Sequence, residues 1–85
     1  MTLYDLANDL TIEGNVEIKR FKDDIETGLW EMKYTDDLGS SLRWIEGFEG
    51  FGDFEGVEDL KVNFIYSTKK DDGEAWLVIE VLEEE

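Results

Sequence analysis

Four runs of alternating apolar and polar residues constrain the fold of this chain more than any other feature. A two-residue period places alternate side chains on opposite faces of a β-strand. The runs cover residues 16–21, 29–34, 60–67 and 75–82. The last run is apolar at both sets of positions near its middle, which is typical of a strand covered on both sides. The sequence therefore predicts four strands, the last of them the most enclosed.

One short helix precedes the strands. Thr2 and Asp5 have the spacing of a capping box, with Asp in place of the usual Glu or Gln, and apolar residues follow at helical spacing. The pattern predicts an amphipathic helix over about residues 3–10. Turn signals at 23–28 and 69–73 join the strands into two hairpins.

The order of these elements predicts an α+β fold. One short N-terminal helix packs on a four-stranded, mainly antiparallel sheet in the order helix, strand, strand, loop, strand, strand. With 85 residues the chain has room for one small domain, so 1–85 is interpreted as a single domain. The helix offers only about four apolar side chains. Either the long loop or a second copy of the chain is expected to cover the rest of the sheet, and a homodimer is one expectation.

The segment between the hairpins, about residues 44–59, is rich in Gly, Phe and acids and contains no base. Four of the eight Gly lie in it, and each costs a helix about 1 kcal/mol relative to Ala. A structured loop is therefore predicted. Phe48, Phe51 and Phe54 recur at three-residue spacing, and two interpretations stay open: they cover a small core, or some form a binding surface with the acids. The acidic end, 83–85, is predicted to be a frayed tail.

The net charge restricts the partners. Eight Lys and Arg stand against 23 Asp and Glu, a formal net charge of -15. This charge disfavours direct binding to nucleic-acid phosphates or anionic lipid, so any macromolecular partner is expected to be basic. Residues 1–5 lack the basic and apolar pattern of a signal peptide, and the sequence has no run of the about 18 apolar residues that a membrane span needs, so neither is expected. Together with the lack of Cys, this predicts a cytoplasmic protein, in a bacterial host.

Several classes of chemistry are excluded by residues that the chain lacks. Without Cys and His it has no thiol nucleophile, no imidazole base and none of the usual Zn or haem ligands. Carboxylates are abundant, but nothing in the sequence distinguishes a catalytic pair among them, and no Walker-type loop or EF-hand spacing is present. The protein is therefore expected not to be an enzyme, with no catalytic residue, no metal site and no cofactor. The basic cluster Lys19, Arg20 and Lys22 is predicted to pair with nearby acids.

The acids are concentrated in one part of the chain. Between Asp36 and Asp59 eight acids stand against one base, Arg43. One interpretation is a surface that keeps the protein soluble, although repulsion among the acids destabilises the fold. The other is mimicry of nucleic-acid phosphates, because residues on one strand face repeat at about 6.6 Å and a basic groove accepts either anion. This second interpretation predicts a partner with a Lys/Arg-rich channel and salt-sensitive association.

The mimicry hypothesis names a set of partner-binding residues. The predicted phosphate mimics form a strip of acids that consists of Glu46, Glu49, Asp53, Glu55, Glu58 and Asp59, and Asp36 and Asp37 are predicted to extend it. The predicted apolar anchors are Trp44 and Phe51. A few buried aromatic side chains usually dominate the affinity of an interface, while rim charges steer and orient the partner.

Parts of the sequence resemble the layout of small acidic proteins carried by phages and mobile elements of Gram-positive bacteria. These parts are Thr-Leu-Tyr-Asp-Leu at 2–6, Val-Glu-Ile at 16–18, Leu-Lys-Val at 60–62 and Leu-Val-Ile-Glu-Val at 77–81. Some proteins of that kind are anti-CRISPR inhibitors. The resemblance implies an inhibitor that occupies the DNA- or PAM-binding groove of a CRISPR effector nuclease. The resemblance is one of sequence pattern, so it assigns no functional residue of those proteins to a position in this chain.

The alternative is a non-catalytic structural or self-assembling module of a phage or bacterium. In that case the acidic surface keeps a small dimer soluble, and the self-interface consists of Trp76, Val78 and Ile65, predicted to be exposed.

Overall fold

A computed structural model describes residues 1–44 and 47–83, with the backbone alone for Arg43 and Trp44. In chain order the elements are α1 (Leu3–Asp9), β1 (Gly14–Lys22), β2 (Ile25–Thr35), α2 (Leu38–Trp44), β3 (Glu49–Phe51), a 3-10 turn (Val57–Asp59), β4 (Lys61–Lys69) and β5 (Ala75–Leu82). They form a small α+β domain with a five-stranded mixed sheet. Neither helix in the described residues is long and apolar enough to cross a membrane.

The first helix begins at the predicted cap. The Thr2 hydroxyl accepts a hydrogen bond from the Asp5 N–H, and the Asp5 carboxylate accepts one from the Thr2 N–H, both at 3.1 Å. The two bonds occupy donors that the first turn leaves open. Leu3 and Leu6 are buried on one side of the helix. The capping box and the amphipathic helix are therefore confirmed, with the helix ending one residue early.

The sheet contains one strand and one parallel pair that the sequence did not predict. The sheet runs β3-β2-β1-β5-β4, in which β1 pairs antiparallel with β2 and parallel with β5. The prediction of an α+β domain with four mainly antiparallel strands is confirmed in part: three of the four strand pairs are antiparallel, but β3 is a fifth strand and the central β1–β5 pair is parallel. A two-residue period fixes which side chains share a face but not which strand lies alongside. Here the second hairpin reaches β1 with its second strand, β5, while β4 forms the edge.

The core lies between the helices and one face of the sheet. Its fully buried side chains include Leu3 and Leu38 from the helices, Val16 and Ile18 from β1, and Ile79 and Val81 from β5. Burial of such a side chain stabilises the fold by about 1.5–3 kcal/mol. The helix α2, which the sequence pattern did not predict, covers part of the sheet that α1 leaves open.

The segment at about 44–59 is structured, as predicted, and contains the 3-10 turn, but it also contains β3 and the end of α2, which were not predicted. Two of its glycines have a steric reason. A Cβ on Gly50 would overlap the Leu29 carbonyl oxygen across the β2–β3 pair. Gly52 has a φ of +99° and lies against the Thr27 carbonyl oxygen. Both positions favour glycine, because a side chain would be strained or would clash.

The three phenylalanines of this segment divide between core and surface. Phe48 and Phe54 are half-buried against the core, with ring centroids 5.1 Å apart. Phe54 also meets Trp30 edge to face, with centroids 4.9 Å apart. Phe51 is 55% exposed. The core interpretation therefore holds for two of the rings and not for Phe51.

The C-terminal end begins with an anchored residue. The Glu83 N–H donates to the Phe21 carbonyl oxygen at 2.8 Å, and the Glu83 carboxylate pairs with the Arg20 guanidinium at 3.0 Å. The prediction of a frayed tail is wrong for Glu83, because β5 continues into these contacts. Residues 84 and 85 lie outside the described part of the chain.

Candidate protein-binding surface

The strand registers bring several acidic connections to one end of the sheet. Leu82 pairs with Phe21 on one side and with Lys61 on the other, so β1 and β5 end where β4 begins. The β1–β2 turn lies at this end too. We call the acids here the acidic end: Asp23 and Asp24 from the turn, Asp53, Glu55, Glu58 and Asp59 from the connection between β3 and β4, and Glu83.

Arg20 anchors the connection that carries the acids Asp53 to Asp59. Its side chain is 14% exposed; one terminal nitrogen donates to the Asp53 carbonyl oxygen at 2.7 Å, and the other pairs with Glu83. The Asp53 carboxylate in turn accepts the Glu55 N–H at 3.0 Å. With Phe54 packed against Trp30, these bonds hold the backbone on both sides of the exposed carboxylates.

Three basic residues, Arg20, Lys33 and Lys70, form ion pairs with acids outside the connection between β3 and β4. Among the described residues, ion pairs join Arg20 to Glu83, Lys33 to Glu74, and Lys70 to Glu17 and Glu31. None of these pairs involves a described carboxylate between Asp36 and Asp59. Within the same residues no group of three or more acids is placed to hold a metal ion. Arg20, Lys33 and Lys70 therefore do not neutralise the carboxylates of Asp53, Glu55, Glu58 and Asp59.

Asp36 and Asp37 lie at the opposite end of the sheet, because the preceding Thr35 pairs with Gly14 at the start of β1. The nine residues of β1 separate the two ends by roughly 26 Å at about 3.3 Å per residue. The Asp37 carboxylate caps α2, accepting the Gly39 N–H at 3.3 Å and the Ser40 hydroxyl at 2.9 Å. The predicted strip is therefore discontinuous.

These two aspartates line an open groove of about 590 Å³. Its other lining residues are Met32, Tyr34, Thr35, Ser40, Ser41 and Gly47. Tyr34 is 65% exposed and has a φ of 55°, which is uncommon for a bulky side chain. Its N–H donates to the Asn15 side-chain oxygen at 2.9 Å, where β1 and β2 shift register. The groove is a separate feature from the acidic end.

The remaining predicted partner-binding residues lie on β3 or outside the described part of the structure. Phe51 pairs with Leu29 and Glu49 pairs with Glu31, which places both on the outer strand beside β2. Glu49 is exposed like Phe51. Glu46 and the Trp44 side chain lie outside the described part of the structure.

The sheet face opposite the core carries a small charged network around Lys70. Glu17 and Glu31 are direct partners on β1 and β2, and the Lys70 ammonium lies 3.2 Å and 3.1 Å from their carboxylates. It also lies 4.0 Å above the Trp76 ring. Burial lowers the pKa of Lys70, but the hydrogen bonds to Glu31 and Glu17 outweigh it and raise the pKa above its usual value.

A hydrogen bond on the same face ties the edge strand to β5. The Tyr66 hydroxyl donates to the Glu80 carboxylate at 2.6 Å. This bond to Glu80, helped by desolvation, raises the pKa of Tyr66 to about 12. Tyr66 therefore stays a neutral donor at any physiological pH.

The predicted self-interface of Trp76, Val78 and Ile65 is wrong for two of its three residues. Trp76 is 6% and Val78 1% exposed within the domain itself, because β5 lies inside the sheet and Lys70 lies over the indole ring. Ile65 is 47% exposed.

Three features of this surface escaped the sequence analysis. The turn acids Asp23 and Asp24, with φ of 52° and 64°, belong to the acidic end, and the break in alternation between the first two strands marks their place. Arg20 was predicted to pair with nearby acids, but its partners are Glu83 and a loop carbonyl. No sequence signal indicates that Lys70 bridges two carboxylates.

No family model, curated protein or solved structure matches this chain. The resemblance to acidic phage and mobile-element proteins therefore rests on the sequence pattern alone.

Proposed function

We propose that this protein is a non-catalytic acidic inhibitor that binds the nucleic-acid-binding groove of a basic enzyme, presenting carboxylates in place of phosphates. The observation that supports this most is the exposure of the Asp53, Glu55 and Asp59 side chains on an anchored connection. All three are exposed, they lie on a connection anchored by Arg20 and Phe54, and the ion pairs of Arg20, Lys33 and Lys70 do not involve their carboxylates.

Anchoring favours such a role for physical reasons. A connection already fixed in the free protein loses less conformational entropy when it binds. Its carboxylates and the net charge of -15 attract a basic groove at long range, so association is fast and weakens as salt is added.

The partner class follows from the charge and from the resemblance. A groove rich in Lys and Arg that holds nucleic acid is the complementary surface. We propose a host defence enzyme in the bacterial cytoplasm, and in particular a CRISPR effector nuclease, whose PAM-reading arginines and positive channel the carboxylates would occupy.

The test compares two double variants of equal charge. Glu55→Lys with Asp59→Lys changes the acidic end and keeps Asp53, whose carboxylate holds the turn. Glu13→Lys with Asp71→Lys changes exposed acids at the other end of the sheet. Each variant is immobilised and loaded with nuclease-treated bacterial lysate, and partners eluted by a salt gradient are identified by mass spectrometry.

We expect the unmodified protein and the Glu13/Asp71 variant to retain a nucleic-acid enzyme that added DNA displaces. The Glu55/Asp59 variant should lose it while its thermal melt stays unchanged. Equal loss in both variants would show that net charge alone drives the capture. Partners indifferent to salt and to DNA would contradict mimicry.

A further inference from the structure

The strand β4 is an edge strand whose outer side is only partly covered. The Leu3 N–H donates to the Leu60 carbonyl oxygen at 3.0 Å, and the Val62 N–H donates to the Met1 carbonyl oxygen at 2.9 Å. These bonds close the start of the edge. Beyond Val62, no strand in the described part of the chain pairs with the outer side of β4. An open edge of this kind is a template for another strand.

The composition of this edge is unlike that of the rest of the chain. Residues 60–70 form its longest stretch without an acid, although the chain has 23 acids in all. The centre of the strand is aromatic and β-branched, and Phe64, Ile65 and Tyr66 are 58%, 47% and 40% exposed. Such residues favour strand pairing. The edge is thus the part of the surface where another chain meets no carboxylate on the strand it pairs with.

The uncharged centre of this edge favours a second copy of the chain as the occupant. A basic strand would meet Lys69 and Lys70 beside the end of the edge. An acidic strand or a nucleic acid would find no cation at residues 63–67, which carry no charge. The neutral, apolar residues 63–67 match best a segment of their own composition, as in the self-complementary contact of a twofold dimer.

Antiparallel pairing about Ile65 gives both faces of the new contact apolar partners. Ile65 then lies opposite its counterpart, and Phe64 lies opposite Tyr66 of the other copy. Phe64 and Tyr66 share the sheet face of Glu80 and Val78, their partners on β5, whereas Ile65 shares the face of Ile79. Aromatic pairs across neighbouring strands stabilise a sheet.

We propose that two copies of this protein pair antiparallel through residues 63–67 of β4, with Ile65 at the twofold axis, so that their five-stranded sheets become continuous. The inference is independent of the proposed function. Because the strands run antiparallel, the two acidic ends lie at opposite ends of the joined sheet. The charge of each copy opposes the contact, so the dimer strengthens as salt screens it.

Two matched pairs of variants test the pairing. Ile65→Lys adds a charge at the proposed axis, and Ile25→Lys adds the same charge at a 67% exposed isoleucine at the start of β2. Sedimentation equilibrium over a range of protein and NaCl concentrations should show a dimer for the unmodified protein and for the Ile25 variant, and a monomer for the Ile65 variant. Thermal melts verify that both variants fold.

The second pair uses cysteine, since the chain contains none. Under mild oxidation Ile65→Cys should form a disulfide-linked dimer at least about tenfold faster than Ile25→Cys, because pairing raises the effective concentration of the two thiols. Equal rates would overturn the proposal. So would an unmodified protein that stays monomeric in about 0.5 M NaCl, where the Debye length is only about 4 Å, or a dimer that persists in Ile65→Lys.

Discussion

Lys70 is the residue on which the face opposite the core depends most. It separates Glu17, which is 6% exposed, from Glu31, its direct cross-strand partner. Like charges opposite each other destabilise a sheet, and a buried carboxylate that loses its only counterion is costly. Because the Lys70 side chain is still 26% exposed, we expect Lys70→Met to lower the free energy of unfolding by about 2 kcal/mol in urea titration.

The matched control is Lys33→Met. The Lys33 side chain is 68% exposed and pairs with the 41% exposed Glu74 side chain, so its loss should cost less than about 0.5 kcal/mol. Adding Glu17→Gln to Lys70→Met should restore part of the loss, because it removes the stranded charge. Equal losses for the two lysines would contradict the bridging role. Since the pKa of Lys70 is raised, its contribution is complete at neutral pH and disappears only as the pH rises through the raised value.

Among the elements, the connection between β3 and β4 depends on one ring for its order. Phe54 packs on Trp30 and Phe48, whereas Phe51 in the same segment is exposed. We expect Phe54→Ala to cost about 2–3 kcal/mol and to release the backbone around Glu55 and Glu58. A glutamate-specific protease should then cleave there first. Phe51→Ala should resist cleavage like the unmodified protein. If Phe54→Ala resisted cleavage to the same degree, the connection would be held by Arg20 and not by the Phe54 ring.

The elements also show where sequence reasoning works and where it stops. The cap at Thr2 and the two-residue periods are local signals, and they located α1 and four strands. In α2 the second to fourth residues are Gly39, Ser40 and Ser41, which favour a helix less than Ala or Leu does, and burial of Leu38 and Leu42 stabilises the helix instead. The parallel β1–β5 pair depends on the path of the chain between the hairpins, which no periodicity encodes.

The candidate site divides in the same way. Counting charges identified the acids between Asp36 and Asp59, because composition is visible in a sequence. Their separation into two groups follows from strand registers, since Thr35 pairs with Gly14 at one end while Arg20 holds Asp53 near the other. Asp23 belongs to the acidic end because the β1–β2 turn lies at the same end of the sheet as that connection, which the sequence alone does not indicate.

For the molecule as a whole, net charge acts on stability over distances comparable to its size. The radius of gyration is 11.9 Å, and the Debye length falls from about 20 Å in 0.02 M salt to about 4 Å in 0.5 M. At low salt all the acids therefore repel one another, and at high salt only close neighbours do. We expect the free energy of unfolding to rise by about 1 kcal/mol over this range, which raises Tm by about 4–8 °C in a domain of this size.

The Glu13→Lys, Asp71→Lys variant is the control for this salt effect. Its net charge is -15 plus 4, or -11, so its Tm should rise less over the same salt range. The melts are recorded at low micromolar concentration and repeated with Ile65→Lys, so that salt-induced pairing of two copies does not add to the slope. A Tm that falls with salt would mean that the ion pairs of Lys70 and Arg20 outweigh the repulsion among the acids. In that case the domain would be most stable at low ionic strength, where the attraction of the acidic end for a basic groove is also strongest.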